Sequence, residues 1–92
     1  AARIFGLYPR KGVVAEGSDA DLVIYSPDGT RTLDAETVRS AARYSPFAGM
    51  PVRGGVAATI LRGKIAFDGK DVIAPEGTGR FIARQPFDPA RV

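Results

Sequence analysis

The sequence predicts a mainly β fold: four to six short, mostly antiparallel strands, with a helical stub in front and an extended tail behind. Three observations carry this. Asp21-Leu22-Val23-Ile24-Tyr25 is an apolar, partly β-branched run bounded by turn residues. Between Val56 and Ala74, apolar stretches are separated by Arg62-Gly63 and Asp68-Gly69, pairs suited to two-residue hairpin turns. Eleven glycines and seven prolines punctuate the 92 residues too often for long helices. Strands in this number make half of a β-sandwich or a small sheet, one face of which needs a cover.

Taken in order, Ile4, Leu7 and Tyr8 recur at helical spacing, so residues 1–8 read as the end of a helix. Gly6 weakens that helix and Pro9 stops it. No capping residue precedes Ala1, so the chain reads as opening inside a longer helix and as truncated. Val13-Val14-Ala15 is a brief extended piece, and Glu16-Gly17-Ser18-Asp19 a turn. The run Asp21–Tyr25, apolar on both faces, is expected to be a buried central strand closed by the turn Pro27-Asp28-Gly29. Arg31-Thr32-Leu33 suits a short strand, and Asp34 can cap one helical turn over Ala35-Glu36-Thr37-Val38. Tyr44-Ser45-Pro46-Phe47 through Met50-Pro51 is a loop whose apolar side chains are expected to pack beneath it. A meander follows, with strands over Val56–Leu61, Lys64–Phe67 and Lys70–Ala74. Pro75 to Gly79 ends the regular structure. The boundaries are therefore 1–12 for the stub and linker, 13–79 for the sheet, and 80–92 for a tail that needs something to lie against.

Composition removes several function classes. Thirteen basic and ten acidic residues give a net charge of +3, and the basic residues are spread along the chain. A nucleic-acid binder concentrates them in a stripe, so no nucleic-acid partner is expected. No apolar run reaches the length of a membrane span, and Ala1-Ala2-Arg3-Ile4-Phe5 does not look like a signal peptide. Cysteine is absent, which rules out disulfides and thiolate chemistry and fits a cytoplasmic protein.

Histidine is absent too. A Ser-His-Asp triad and an imidazole-held metal are therefore out of reach. Asp19 and Asp21 would share a face of a continuous strand, but Asp19 stands in the turn. Asp19 reads as a turn or capping acceptor and Asp21 as a strand-end residue. Gly77-Thr78-Gly79-Arg80 and Gly54-Gly55 lack the strand–turn–helix context and lysine of a phosphate loop. No catalytic, cofactor-binding or metal-binding residue is assigned.

Ala2 through Gly12, with Ile4-Phe5-Gly6-Leu7-Tyr8-Pro9-Arg10-Lys11 at its centre, resembles the end of the last barrel helix of dihydropyrimidinases and hydantoinases. Gly17-Ser18-Asp19-Ala20-Asp21-Leu22-Val23-Ile24 is similar to a sandwich strand found across amidohydrolases. Tyr44-Ser45-Pro46-Phe47 with Gly49-Met50 and Val52-Arg53-Gly54 resembles a narrower signature, followed by the hairpin Thr59–Lys64 and the tail motifs Gly79-Arg80-Phe81 and Pro86-Phe87. Ala48 departs from the glutamate common in that family. The resemblance covers about residues 1–88.

The resemblance implies a parent made of a metal-bearing (β/α)₈ barrel and a small composite β-sandwich. Residues 1–12 would be the end of the last barrel helix and a linker, 13–79 would form the C-terminal half of the sandwich, and 80–92 would be an oligomerisation-type tail. A barrel takes about 250 residues, so none fits here. The parent's binuclear metal centre, typically zinc, would lie in that absent barrel, leaving no cofactor in this chain. Its metal-bound hydroxide would open cyclic amides such as dihydropyrimidines or hydantoins. The expected partners are the missing barrel and N-terminal sandwich half, or further copies in a homo-oligomer. An independent interaction module without enzyme activity is the alternative.

Overall fold

The computed structural model describes residues 1–36 and 41–91. It contains three strands, β1 (Leu22–Thr32), β2 (Pro51–Leu61) and β3 (Lys64–Phe67), and a 3₁₀ turn over Pro89–Arg91. They form one three-stranded sheet in the order β1-β2-β3. The mainly β expectation holds, but the strands are fewer and two of them longer than expected.

The β2–β3 hairpin forms where the sequence places it. Leu61 faces Lys64, and the two turn residues Arg62 and Gly63 both take positive φ, 46° and 80°. Two left-handed residues match the twist of the flanking strands, which is why glycine suits the second position. Register shifts by one residue between Thr59 and Ile60. At one end of β1 the Gly63 N–H donates to the Ala20 carbonyl (3.0 Å). At its other end Leu33 donates to Met50 (2.9 Å) and accepts from Gly49 (2.8 Å). The start of β1 thus meets the end of β2, and the two run antiparallel.

Several expectations are corrected. β1 runs straight through Pro27-Asp28-Gly29, where a turn was expected. β1 stands at the sheet edge, and an edge tolerates a residue that cannot donate. Gly29 absorbs the irregularity at φ 83°. Nor is β1 a buried central strand: Val23 is 64% and Tyr25 56% exposed. The strand expected over Lys70–Ala74 is reduced to a bridge between Phe67 and Val72, with Ile73 and Ala74 both donating to the Ala66 carbonyl. The Asp68 carboxylate takes the N–H groups of Lys70 (2.9 Å) and Asp71 (2.7 Å), drawing them into a four-residue loop instead of a ladder. Val13-Val14-Ala15 forms no strand.

The N-terminal stub is a single turn. Phe5 donates to Ala1 (3.0 Å), Gly6 to Arg3 (3.2 Å) and Leu7 to Ala2 (2.8 Å), with Gly6 at φ 64°. The last two bonds, crossing over a left-handed glycine, are the Schellman closure of a helix end. Asp34 accepts from the Glu36 N–H (3.0 Å), as a cap does; the rest of that expected helical turn, residues 37 and 38, lies outside the described residues.

The chain divides into two units, Ala1–Val23 with Ala58–Val92, and Ile24–Ala57. No apolar side chain is buried in either among the described residues; Gly54 alone is buried. Tyr44, Phe47 and Met50, expected to pack beneath their loop, are exposed. A three-stranded sheet offers a face and no second layer to close it.

Candidate functional site

In the first unit, one lysine organises the start of β1. Lys11 Nζ donates to Asp19 (2.8 Å) and pairs with Asp21 as well. Arg10 Nε reaches the same Asp19 oxygen (3.0 Å), and the Asp19 N–H donates to the Arg10 carbonyl (2.9 Å). Asp21 Oδ1 accepts the Arg62 N–H (2.8 Å), which ties the hairpin turn to the root of β1. Lys11, then Arg10, holds the Asp19 carboxyl below the ordinary aspartate value. Lys11, then the Arg62 N–H, does the same for Asp21. Asp19, then Asp21, raises the Lys11 ammonium above its ordinary value. Asp21 stands just before β1, as read from the sequence, whereas the Asp19 carboxylate, expected to serve its turn, takes the side chains of Arg10 and Lys11. The partners Lys11 and Arg62 were not foreseen; no local pattern links residue 21 to residue 62.

In the second unit, Tyr25 Oη donates to the Arg53 carbonyl (2.7 Å) across the β1–β2 pair. Gly54 lets the ring approach. Its φ is 73°, and a Cβ there would lie 2.4 Å from Tyr25 Oη and 2.5 Å from the Ser26 carbonyl. The Tyr25 hydroxyl thus takes the space a side chain at Gly54 would need.

The Gly77–Arg80 segment lines a cleft of about 390 Å³ with the β2–β3 hairpin. Arg62 donates through its guanidinium to the Thr78 carbonyl, and Thr78 Oγ1 to the Pro75 carbonyl (3.0 Å). In the same unit, the tail meets the N-terminal turn where the Gln85 N–H donates to the Gly6 carbonyl (2.9 Å). Arg3 stacks over the Tyr8 ring, 4.4 Å from its centroid.

The amidohydrolase family model matches residues 1–66. The chain belongs to the amidohydrolase family. Within the family it is similar to the dihydropyrimidinase of Rattus norvegicus, 46% identical over 87 residues, covering 95% of this chain and 17% of that protein. It is similar to the L-hydantoinase of Paenarthrobacter aurescens, 40% identical over 90 residues, covering 98% of this chain and 20% of that one. Among solved structures, the D-hydantoinase of a Thermus species superposes with a TM-score of 0.87 at 37% identity, covering 94% of this chain and 19% of that one. This amidohydrolase chain therefore spans about a fifth of the length of the relatives it matches.

Amidohydrolases usually bind metal, and this segment does not fit one. It has no histidine or cysteine, and among the described residues no three acidic groups gather. Both oxygens of Asp21 and the outer oxygen of Asp19 already accept from Lys11, Arg10 or Arg62. A cation placed there would have to displace Lys11.

Proposed function

We propose that this chain is a noncatalytic scaffold and assembly segment of a dihydropyrimidinase- or hydantoinase-like hydrolase. Residues 13–79 supply the C-terminal half of its composite β-sandwich, residues 1–12 the end of its last barrel helix and a linker, and residues 80–92 an assembly tail. The parent would open a cyclic amide by metal-assisted hydrolysis, with the metal held by residues outside this chain. The observation that supports this best is the lack of a buried apolar side chain among the described residues. A free-standing monomer of 9.7 kDa has an accessible surface of about 5,100 Å² by the scaling for compact proteins. This chain has 7659 Å². The excess, about 2,500 Å², exceeds what one partner gives up in a standard interface, about 800 Å², and is in the range of obligate contacts.

The test grafts this chain into the Paenarthrobacter L-hydantoinase in place of its matching segment. The chimera is expected to fold and to open hydantoins within about tenfold of the host rate, since nothing near the metal changes. The 92-residue chain alone, with Zn²⁺ or Mn²⁺ added, is expected to have no activity. Turnover by the chain alone, verified free of longer enzyme, contradicts the noncatalytic reading. A chimera that fails to fold contradicts the scaffold reading.

A further inference from the structure

The cleft beside β3 arises because the chain leaves the sheet early. After the bridge at Val72, Ile73 and Ala74 spend their N–H groups on one carbonyl, and Pro75 has none to offer. The segment 77–80 then stands off from the hairpin as the far wall. Arg62, Lys64 and Arg80 line this cleft, and no aspartate or glutamate does. Arg62 is fixed to the far wall through the Thr78 carbonyl. Lys64 and Arg80 form no ion pair among the described residues. Three cations about one cleft repel one another, and the field they share favours an anion.

The remaining lining is largely apolar, with Leu61, Ile65, Ala74 and Pro75 prominent. Such a floor suits a carboxylate carried on an apolar-flanked chain better than a hydrated free ion, whose solvation it cannot replace. We propose that the cleft seats an acidic side chain presented by the remainder of the parent polypeptide. This rests on the scaffold reading above, which supplies the covering chain, and it adds the chemistry of the contact. Lys64 and Arg80 would hold the carboxylate, with Arg62 as the fixed third charge.

The grafted chimera provides the test, through its thermal midpoint at 20 mM and 500 mM salt. The double variant Lys64→Glu/Arg80→Glu is expected to melt roughly 3 °C or more below the parent chimera at low salt. That gap should shrink at high salt, where exposed charges are screened. Arg31→Glu, which lies outside the cleft, should not reproduce it. An unchanged midpoint in the double variant, or an equal fall with Arg31→Glu, overturns the inference while leaving the scaffold reading standing. Ten millimolar phosphate that raises the midpoint of the parent chimera, and not of the double variant, also overturns it, by assigning the cleft to a free anion. A chimera that does not fold removes the scaffold reading and this inference together.

Discussion

Asp21 joins three parts of the first unit through one carboxylate: the N-terminal segment through Lys11, the root of β1, and the hairpin turn through the Arg62 N–H. The two kinds of partner are separable by substitution. Asp21→Asn keeps an oxygen for the Arg62 N–H and loses the charge; Asp21→Ala loses both. In the grafted chimera, Asp21→Ala should lower unfolding free energy at pH 7 by about 1 kcal/mol, allowing for solvent screening, and Asp21→Asn by less. The pH dependence has a definite sign. Asp19 and Asp21 titrate lower folded than unfolded, so their contribution is present above about pH 4 and fades as pH falls through the lowered values. Lys11 titrates higher when folded, so its contribution is present below about pH 10 and fades as pH rises further. The deficit of Asp21→Asn against the parent chimera in urea should therefore be constant from about pH 5 to pH 9 and vanish toward pH 2. A deficit unchanged at pH 2 would show that the charge on Asp21 carries none of it.

Between elements, the tyrosine clasp joins β1 to β2 and makes Gly54 a position for glycine alone. Gly54→Ala adds a Cβ at 2.4 Å from Tyr25 Oη and forces a side chain onto φ 73°. The backbone part alone costs about 1–2 kcal/mol. Tyr25→Phe removes the hydroxyl, the nearest of three atoms within 3 Å of that Cβ, and leaves the Ser26 carbonyl at 2.5 Å and the ring carbon at 2.8 Å, so the two substitutions should couple. In urea unfolding of the chimera, the double variant should be less destabilised than the sum of the singles by more than 0.5 kcal/mol, on the order expected of residues in contact. Strict additivity would place the clash elsewhere. At this scale the sequence was read unevenly, for physical reasons. The Arg62-Gly63 hairpin was legible because a two-residue loop fixes its own geometry. Pro27-Asp28-Gly29 was misread as a turn because the same residues serve an edge strand, and only the neighbour reveals which. The Lys70–Ala74 strand failed because the Asp68 side chain competes for its N–H groups, a choice propensity does not record. The Lys11–Asp21–Arg62 latch could not be read at all, since its members lie 10 and 41 positions apart.

On the scale of the molecule, the absent histidine and cysteine and the β-rich pattern were visible from composition and periodicity alone. A cover was expected too, from a sheet with too little chain left to close it. Its extent was not, because burial is a property of the fold and not of any residue type. Val23, Ile24 and Tyr25 read as a buried strand because they carry a buried strand's side chains; with the described residues as their only neighbours they are at least half exposed. Phe81, 94% exposed, makes the same point in the tail. Apolar surface of this size is worth covering at about 25 cal/mol per Å², which favours either a missing layer or self-association.

Hydroxyl-radical footprinting measures that cover residue by residue, comparing Tyr25 and Phe81 in the 92-residue chain and in the grafted chimera. The expected result is strong labelling of both in the chain held dilute, and several-fold protection of both in the chimera. Equal labelling in the two molecules would mean that nothing in the larger enzyme lies over these side chains, and would contradict the scaffold reading at its root.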